Sequence, residues 1–177
     1  MIRRKQPFAV RSTTGALLIL ALGAVACIGD GPTGPEPIPL EETEFDPELG
    51  IDLAAMTRTE EGLYYLDLKT GEGEVVAEGD SIAFHYTGWL ANGYRFGTTV
   101  GKEPLSVRLN LETLIAGFVV GVPGMKVGGK RKLVIPSYLA YGPYAVGDIP
   151  SYANLVYDVE IVAIHEEDEE EGAATTE

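Results

Sequence analysis

Two histidines and one cysteine are the whole supply of imidazole and thiol in 177 residues, and they stand far apart at His85, His165 and Cys27. A zinc cage needs several such ligands at close spacing, and a Cys–His nucleophilic pair needs both partners in one domain; neither pattern is present. Gly71-Glu72-Gly73, Gly121 to Gly124 and Gly128-Gly129 are glycine-rich, but none carries the Lys and Ser or Thr of a phosphate-binding loop. Asp158 and Glu160 fall on the solvated side of a strand pattern, and His85, next to Tyr86, faces away from it as an outer-face residue. What stands out is a set of bulky apolar side chains placed beside turn residues. Tyr86 precedes Thr87-Gly88, Phe96 precedes Gly97, Tyr141 precedes Gly142-Pro143, Ile149 precedes Pro150, and Ile115 and Phe118 share a helical pattern. Taken singly each reads as core; taken together they are the chemically distinctive feature of the chain.

These side chains need elements to hold them. Residues from about 60 to 165 alternate short strand-patterned runs with Gly, Pro, Asn and Asp punctuation. Residues 63–68 alternate, Ile82, Phe84 and Tyr86 share one strand face, Leu105, Val107 and Leu109 share another, and Lys132-Leu133-Val134-Ile135 is a further run. In the last run Leu155, Tyr157, Val159 and Ile161 point one way while Asp158 and Glu160 point the other, which predicts a sheet with one wet face. A helix is expected after Asn110 as N-cap, with Leu111, Leu114, Ile115, Phe118, Val119 and Val122 at three- and four-residue intervals and Pro123-Gly124 as the stop. Gly117 and Gly121 each cost such a helix about 1 kcal/mol relative to Ala, so packing must hold it. Strands plus one short helix across a face predict an α+β domain.

Charge excludes one class of partner. The chain has 13 basic and 27 acidic residues. Four of the bases, Arg3, Arg4, Lys5 and Arg11, lie in an acid-free stretch of 26 residues at the start. No basic stripe follows, so nucleic-acid binding is not expected. That first stretch continues into the apolar run from Gly15 to Ala26, too short for a spanning helix of about 20 residues and laid out as a secretory signal over residues 1–26. Ala24-Val25-Ala26-Cys27 resembles a bacterial lipoprotein signal box, although an ordinary cut after Ala26 looks the same. An exported chain with a single Cys makes no internal disulfide, which favours lipidation of Cys27 and anchoring at a membrane on the periplasmic or cell-surface side. Residues 27–58, rich in Gly and Pro and then acidic, show no hydrophobic period and are expected to form a flexible tether. Residues 166–177, opening with six consecutive acids, read as a solvated tail. The folded domain is thereby bounded at 59–165.

Five segments inside those bounds, in order, resemble the FKBP-type prolyl isomerases. They are the stretch from Phe84 through Trp89 to Phe96, then Val107-Arg108-Leu109-Asn110, then Leu114-Ile115-Ala116-Gly117-Phe118 with the glycine-rich 121–131, then the run from Val134 to Gly142, and finally 149–160. The resemblance implies a five-stranded antiparallel sheet wrapped around one short helix, with an apolar pocket between them that receives a proline side chain. Carried over position by position, that pocket is Tyr86, Phe96, Leu114, Ile115, Phe118, Tyr141, Ile149 and Tyr157. Tyr86, Phe96, Phe118, Tyr141 and Tyr157 are the implied catalytic set, and Leu114, Ile115 and Ile149 the implied substrate contacts. The phenol of Tyr141 is implied as a donor to a substrate carbonyl, and Ile149 as a backbone contact through its amide. No cofactor or metal is implied, and the implied partners are proline-containing polypeptides and macrolide ligands.

Three positions depart from the family pattern. Gly97 stands where relatives carry Asp, Leu105 where they carry Phe, and Phe118 where the best-studied ones carry Trp; the turn from Gly142 to Tyr152 spans only eleven residues. The missing carboxylate keeps a second reading open, in which the chain is a peptide-binding chaperone or adaptor with the pocket but weak catalysis.

Overall fold

The computed structural model describes residues 36–165. The signal segment, Cys27, the tether as far as residue 35 and the acidic tail lie outside the described residues.

The period-two runs become strands. In chain order they are β1 (Thr57–Arg58), β2 (Tyr64–Lys69), β3 (Ser81–Leu90), β4 (Arg95–Thr98), β5 (Leu105–Arg108), β6 (Lys130–Ile135) and β7 (Leu155–His165), with one helix, α1 (Ala116–Gly121). Every strand pairing is antiparallel. The order is β1-β2-β6-β7-β3-β4, with β5 also bonded to β3. The α+β class holds. All five expected runs are strands, and two more join them: the two-residue β1 at the edge, and β4, the return arm of a hairpin closed by Gly93 at φ 83°.

One face of this sheet carries the main core. Leu155, Val159 and Ile161 of β7 are fully buried and Tyr157 nearly so, against Ile82 and Phe84 of β3 and Leu133 and Ile135 of β6. The helix lies close over β6. A Cβ on Gly117 would stand 2.5 Å from a carbon of Ile135, and one on Gly121 2.9 Å from a carbon of Leu133. The two helix-weakening glycines are therefore the condition for close approach, and packing repays their low propensity. Arg131 of β6 reaches across the gap: Nη1 donates to the Gly121 carbonyl at 2.8 Å, Nε and Nη2 fork onto Asp67 at 2.6 and 3.1 Å, and the guanidinium lies 4.3 Å from the centre of the Tyr65 ring.

The helix is shorter than expected. Asn110 Oδ1 accepts from the amides of Glu112 and Thr113 at 3.0 and 3.2 Å, so Asn110 does cap, but it caps a turn. Side-chain bonds of this kind compete with helical pairing. Ile115 is then extended, with ψ 150°, and the helix starts only at Ala116.

The tether expectation is corrected for residues 40–58. That segment packs on the outer face of the sheet, through three single-turn 3-10 helices at Leu40–Glu42, Pro47–Leu49 and Leu53–Ala55. Leu40 and Leu49 bury against Tyr64, Val134 and Val156, with Phe45, Ile51, Leu53, Met56 and Trp89 around them. The second face is therefore wet only in part. Buried Asn154 ties this strap down: its Nδ2 donates to the Ile38 carbonyl and Thr43 Oγ1, both at 2.7 Å, while its Oδ1 accepts from Ser137 N at 2.9 Å. Tyr64 donates to Glu41 at 2.7 Å as a further tie.

Candidate active site

Strand alternation decides which side chains reach the space between the sheet and α1. On β3 the inner-face series continues through Phe84 to Tyr86; on β7 it places Tyr157 in the middle of the sheet; on β4 it turns Phe96 inward. The extended backbone at Ile115 aims Leu114 and Ile115 into the same space, and Phe118 follows on the helix. Tyr141 comes from the turn after Ser137–Leu139, and Ile149 from the loop beyond it. All eight positions singled out in the sequence line one cavity of about 610 Å³.

The aromatic rings form a continuous wall. Tyr157 stands at its centre, 4.9 Å from Phe118, 5.6 Å from Phe96 and 5.9 Å from Tyr86 between ring centroids, the first two edge-on. Phe84 packs behind, 5.5 Å from Phe118. Gly88 makes room for this cluster: a Cβ there would lie 2.6 Å from Phe96 and 2.8 Å from Tyr157. Phe118 and Tyr157 are each 4% exposed, so the floor is dry, while Leu111 is 68% exposed on the rim.

Two loops close the rim. The turn from Gly142 to Tyr152 is cinched by Tyr152 N donating to the Gly142 carbonyl at 2.6 Å. Within it Val146 and Ile149 exchange a pair of backbone bonds at 2.9 and 3.0 Å. The Ile149 amide, expected to meet substrate, donates here to the Val146 carbonyl, and Ile149 is among the residues that line the cavity. Tyr94 of the β3–β4 hairpin donates to Asp148 at 3.1 Å, joining the two rims.

The ionisable groups of the pocket are few. Glu112 is the one ionisable carboxylate among the described lining residues. Burial holds the Tyr141 phenol above the usual tyrosine range, as does the neighbouring Tyr86, while a hydrogen bond with Tyr157 works the other way. Tyr157 is pushed higher still, chiefly by burial and further by its neighbours Tyr141 and Tyr86. Both phenols are therefore neutral throughout the physiological range. A Cβ on Gly97 would stand 3.5 Å from the Tyr86 hydroxyl, so the absent carboxylate leaves space beside that phenol. His85 lies outside the site, its Nδ1 3.4 Å from Thr99 Oγ1. Trp89, the single tryptophan, belongs to the outer core with Lys132 above its ring.

Sequence reasoning missed Thr113, Ala116 and Ala140 as lining residues, together with Leu111 and Glu112 as rim groups. Their contribution depends on how the 110–116 turn and the 136–141 corner fold, which no periodicity reports. Leu105, read in the sequence as a strand-face residue and a departure from the family pattern, lines the mouth and is 36% exposed.

Comparison with known proteins agrees with this geometry. Residues 72–162 match the family described as FKBP-type peptidyl-prolyl cis-trans isomerase. An FK506-binding protein of Neisseria meningitidis serogroup B is 42% identical over 107 residues, which is 59% of this chain and 98% of that one. Among solved structures, FkpA from Escherichia coli superposes with a TM-score of 0.57 at 38% identity, covering 62% of this chain and 51% of the other. AtFKBP13 gives 0.58 at 32% identity, covering 62% of this chain and 98% of the other. With a cleft between sheet and helix lined by the eight residues singled out in the sequence, and with the family model matched over more than half of the chain, this protein is a member of the FKBP-type peptidyl-prolyl cis-trans isomerase family.

Proposed function

We propose that this protein turns X-Pro bonds in exported or unfolded polypeptides by seating the proline ring against Phe118 and Tyr157 and holding the bond in a cleft walled by aromatic rings. Rotation about a peptide bond costs about 18–20 kcal/mol because resonance stabilises the planar form, and unaided X-Pro isomerisation takes tens to hundreds of seconds. The planar amide is the more charge-separated state. An environment poor in water therefore disfavours it relative to the twisted form, and a surface shaped to the twisted conformer adds differential binding. Tyr141 donates a hydrogen bond to a substrate carbonyl as the bond turns. Chemical acid or base catalysis has no part in this scheme, which suits a pocket whose phenols are held neutral.

The observation that carries the reading is the convergence of Tyr86, Phe96, Leu114, Ile115, Phe118, Tyr141, Ile149 and Tyr157 on one cavity large enough for a prolyl residue and its neighbours. The same cavity would take a macrolide ligand. Export and a lipid anchor at Cys27, with the domain working on the periplasmic or cell-surface side, complete the proposal and rest on the signal-like first 27 residues. Mass spectrometry of the N-terminal peptide decides that part: an unmodified Cys27 thiol in membrane fractions removes the anchor.

Gly97 and the exposed apolar Leu105 and Leu111 at the mouth favour one further reading, a polypeptide-binding chaperone or adaptor with weak turnover. Cis-to-trans conversion of a short X-Pro peptide separates the two. Acceleration at micromolar protein supports the isomerase; a rate equal to buffer, with peptide binding retained, supports the adaptor.

A further inference from the structure

The loop that brings Tyr141 and Ile149 to the pocket leaves the sheet after Ile135 and returns to it at Leu155, the two residues of the last rung between β6 and β7. Pro136 has no N–H to give, so Ser137 supplies the first amide beyond that rung. Ser137 is only 2% exposed, and a buried amide needs an acceptor. Asn154, the residue before Leu155, provides one. Its Oδ1 accepts from the Ser137 amide at 2.9 Å, so a side chain carries the pairing of the two strands one step past the end of the backbone ladder.

Ser137 is the hub of the corner that holds Tyr141. Its carbonyl accepts from Ala140 N at 3.0 Å and from Gly142 N at 2.8 Å, the two chain neighbours of Tyr141. The Gly142 carbonyl in turn accepts from Tyr152 N at 2.6 Å, and Tyr152 stands at φ 57°, a left-handed backbone that a bulky residue rarely adopts. Two residues later the chain is back at Asn154. Hydrogen bonds thus close a circuit around Tyr141, and its link through a side chain is Asn154.

The Asn154 amide fits only one way round. Ser137 N can only donate and the Ile38 carbonyl can only accept, so Oδ1 faces the corner while Nδ2 faces the strap, where it also meets Thr43 Oγ1. Thr43 Oγ1 gives its own hydrogen to the Pro39 carbonyl at 2.8 Å, which leaves a lone pair for Asn154. With three bonds made and 5% exposure, the group is a satisfied buried network that specifies one arrangement.

We propose that Asn154 is a positioning residue for the pocket: its Oδ1 fixes Ser137 and, through Ser137, the corner that carries Tyr141, while the bonds from its Nδ2 to the strap keep the amide turned that way. The inference rests on the isomerase reading and deepens it.

The test uses three variants of the full chain, assayed well below their unfolding transitions with a short X-Pro peptide. Asn154→Ala removes both the acceptor for Ser137 and the donor to the strap. Asn154→Asp restores the acceptor and still lacks the amide donor, and Thr43→Val removes one strap bond alone. All three should unfold at lower urea concentration than the native chain. The expected loss in kcat/KM is about fivefold for Asn154→Ala, with Asn154→Asp and Thr43→Val within about twofold of native. A merely structural role would make the rate follow stability, so a loss of about fivefold in Asn154→Asp or Thr43→Val overturns the proposal, as does a native rate in Asn154→Ala. Amide hydrogen exchange by NMR is the second readout. The Ser137 amide should be protected in the native chain and in Asn154→Asp, and should exchange at least about tenfold faster in Asn154→Ala. Open-loop exchange at Ser137 in the native chain contradicts the clamp. If Asn154→Ala does not fold, the rates of the other two variants and the native exchange still decide. If the native chain leaves the peptide at its buffer rate, the isomerase reading falls with the positioning role, while exchange at Ser137 still decides whether Asn154 holds the corner.

Discussion

Gly88 and Gly97 face each other in the β3–β4 ladder, and they should respond in opposite ways to the same added methyl group. At Gly88 a Cβ would meet Phe96 carbons at 2.6 and 2.7 Å and a Tyr157 carbon at 2.8 Å, where carbon atoms normally rest about 3.5–4.0 Å apart. Each contact must open by about 1 Å. Phe96 is half-buried on the wall and can swing, but Tyr157 is held among three other rings and cannot do so without disturbing Phe118. Overpacking of this kind costs about 1–3 kcal/mol. For a domain of this size that is a fall in Tm of about 3–15 °C, with kcat/KM reduced about tenfold or more as the wall rings leave their places. At Gly97 the nearest atom to a new Cβ is 3.5 Å away, ordinary contact, and Gly97→Ala should leave Tm near the wild-type value. Calorimetry on the two variants, with peptide isomerisation for Gly88→Ala, is the assay. Wild-type stability and activity in Gly88→Ala would refute the claim that this glycine seats the pocket rings.

Other consequences follow from the same contacts. Replacing Arg131 by Met removes the donor to the Gly121 carbonyl and the fork on Asp67; because Asp67 is 46% exposed its share is screened, and the expected loss is about 2 kcal/mol in urea unfolding, with the activity of the folded fraction retained. Leu40→Ala opens the outer core over Val134 and Val156, and should cost about 2–4 kcal/mol in the same measurement without lowering kcat/KM; no loss would mean that the strap is a tether after all. The raised Tyr141 and Tyr157 phenols give a stability contribution that is complete below about pH 10, where the unfolded phenols are protonated, and that declines as pH climbs beyond it. Denaturant midpoints at pH 8, 10 and 11 should therefore fall less steeply for Tyr157→Phe than for the native chain.

Much of the architecture was legible because antiparallel strands with one dry face write their alternation into the sequence. Leu155, Tyr157, Val159 and Ile161 are the clearest instance, and their burial follows the pattern residue by residue. The strap was not legible for the opposite reason. Leu40, Phe45, Leu49, Ile51, Leu53 and Met56 follow neither period, since each is delivered by a separate 3-10 turn, and only the sheet they cover shows that they form a face. The helix start was misplaced because Asn110 caps a turn as readily as a helix, and the backbone is extended at Ile115 just before the helix begins. The wall residues were found through the resemblance of five motifs, not through periodicity. What no motif conveyed was the state of individual polar groups: that the Ile149 amide bonds to Val146 within its turn, and that burial raises the Tyr157 phenol.

The central claim is that a cleft walled by aromatic rings turns the X-Pro bond by favouring its twisted form, with a hydroxyl assisting and no proton transferred. Isomerisation of a short X-Pro peptide by the native chain and by Tyr141→Phe, followed from pH 6 to 9, tests it most directly. The account predicts acceleration over buffer by both proteins, level across that range, with the variant slower by less than about tenfold. A variant slower by about a hundredfold or more, or a bell-shaped pH profile, would mark Tyr141 as a chemical acid and contradict it.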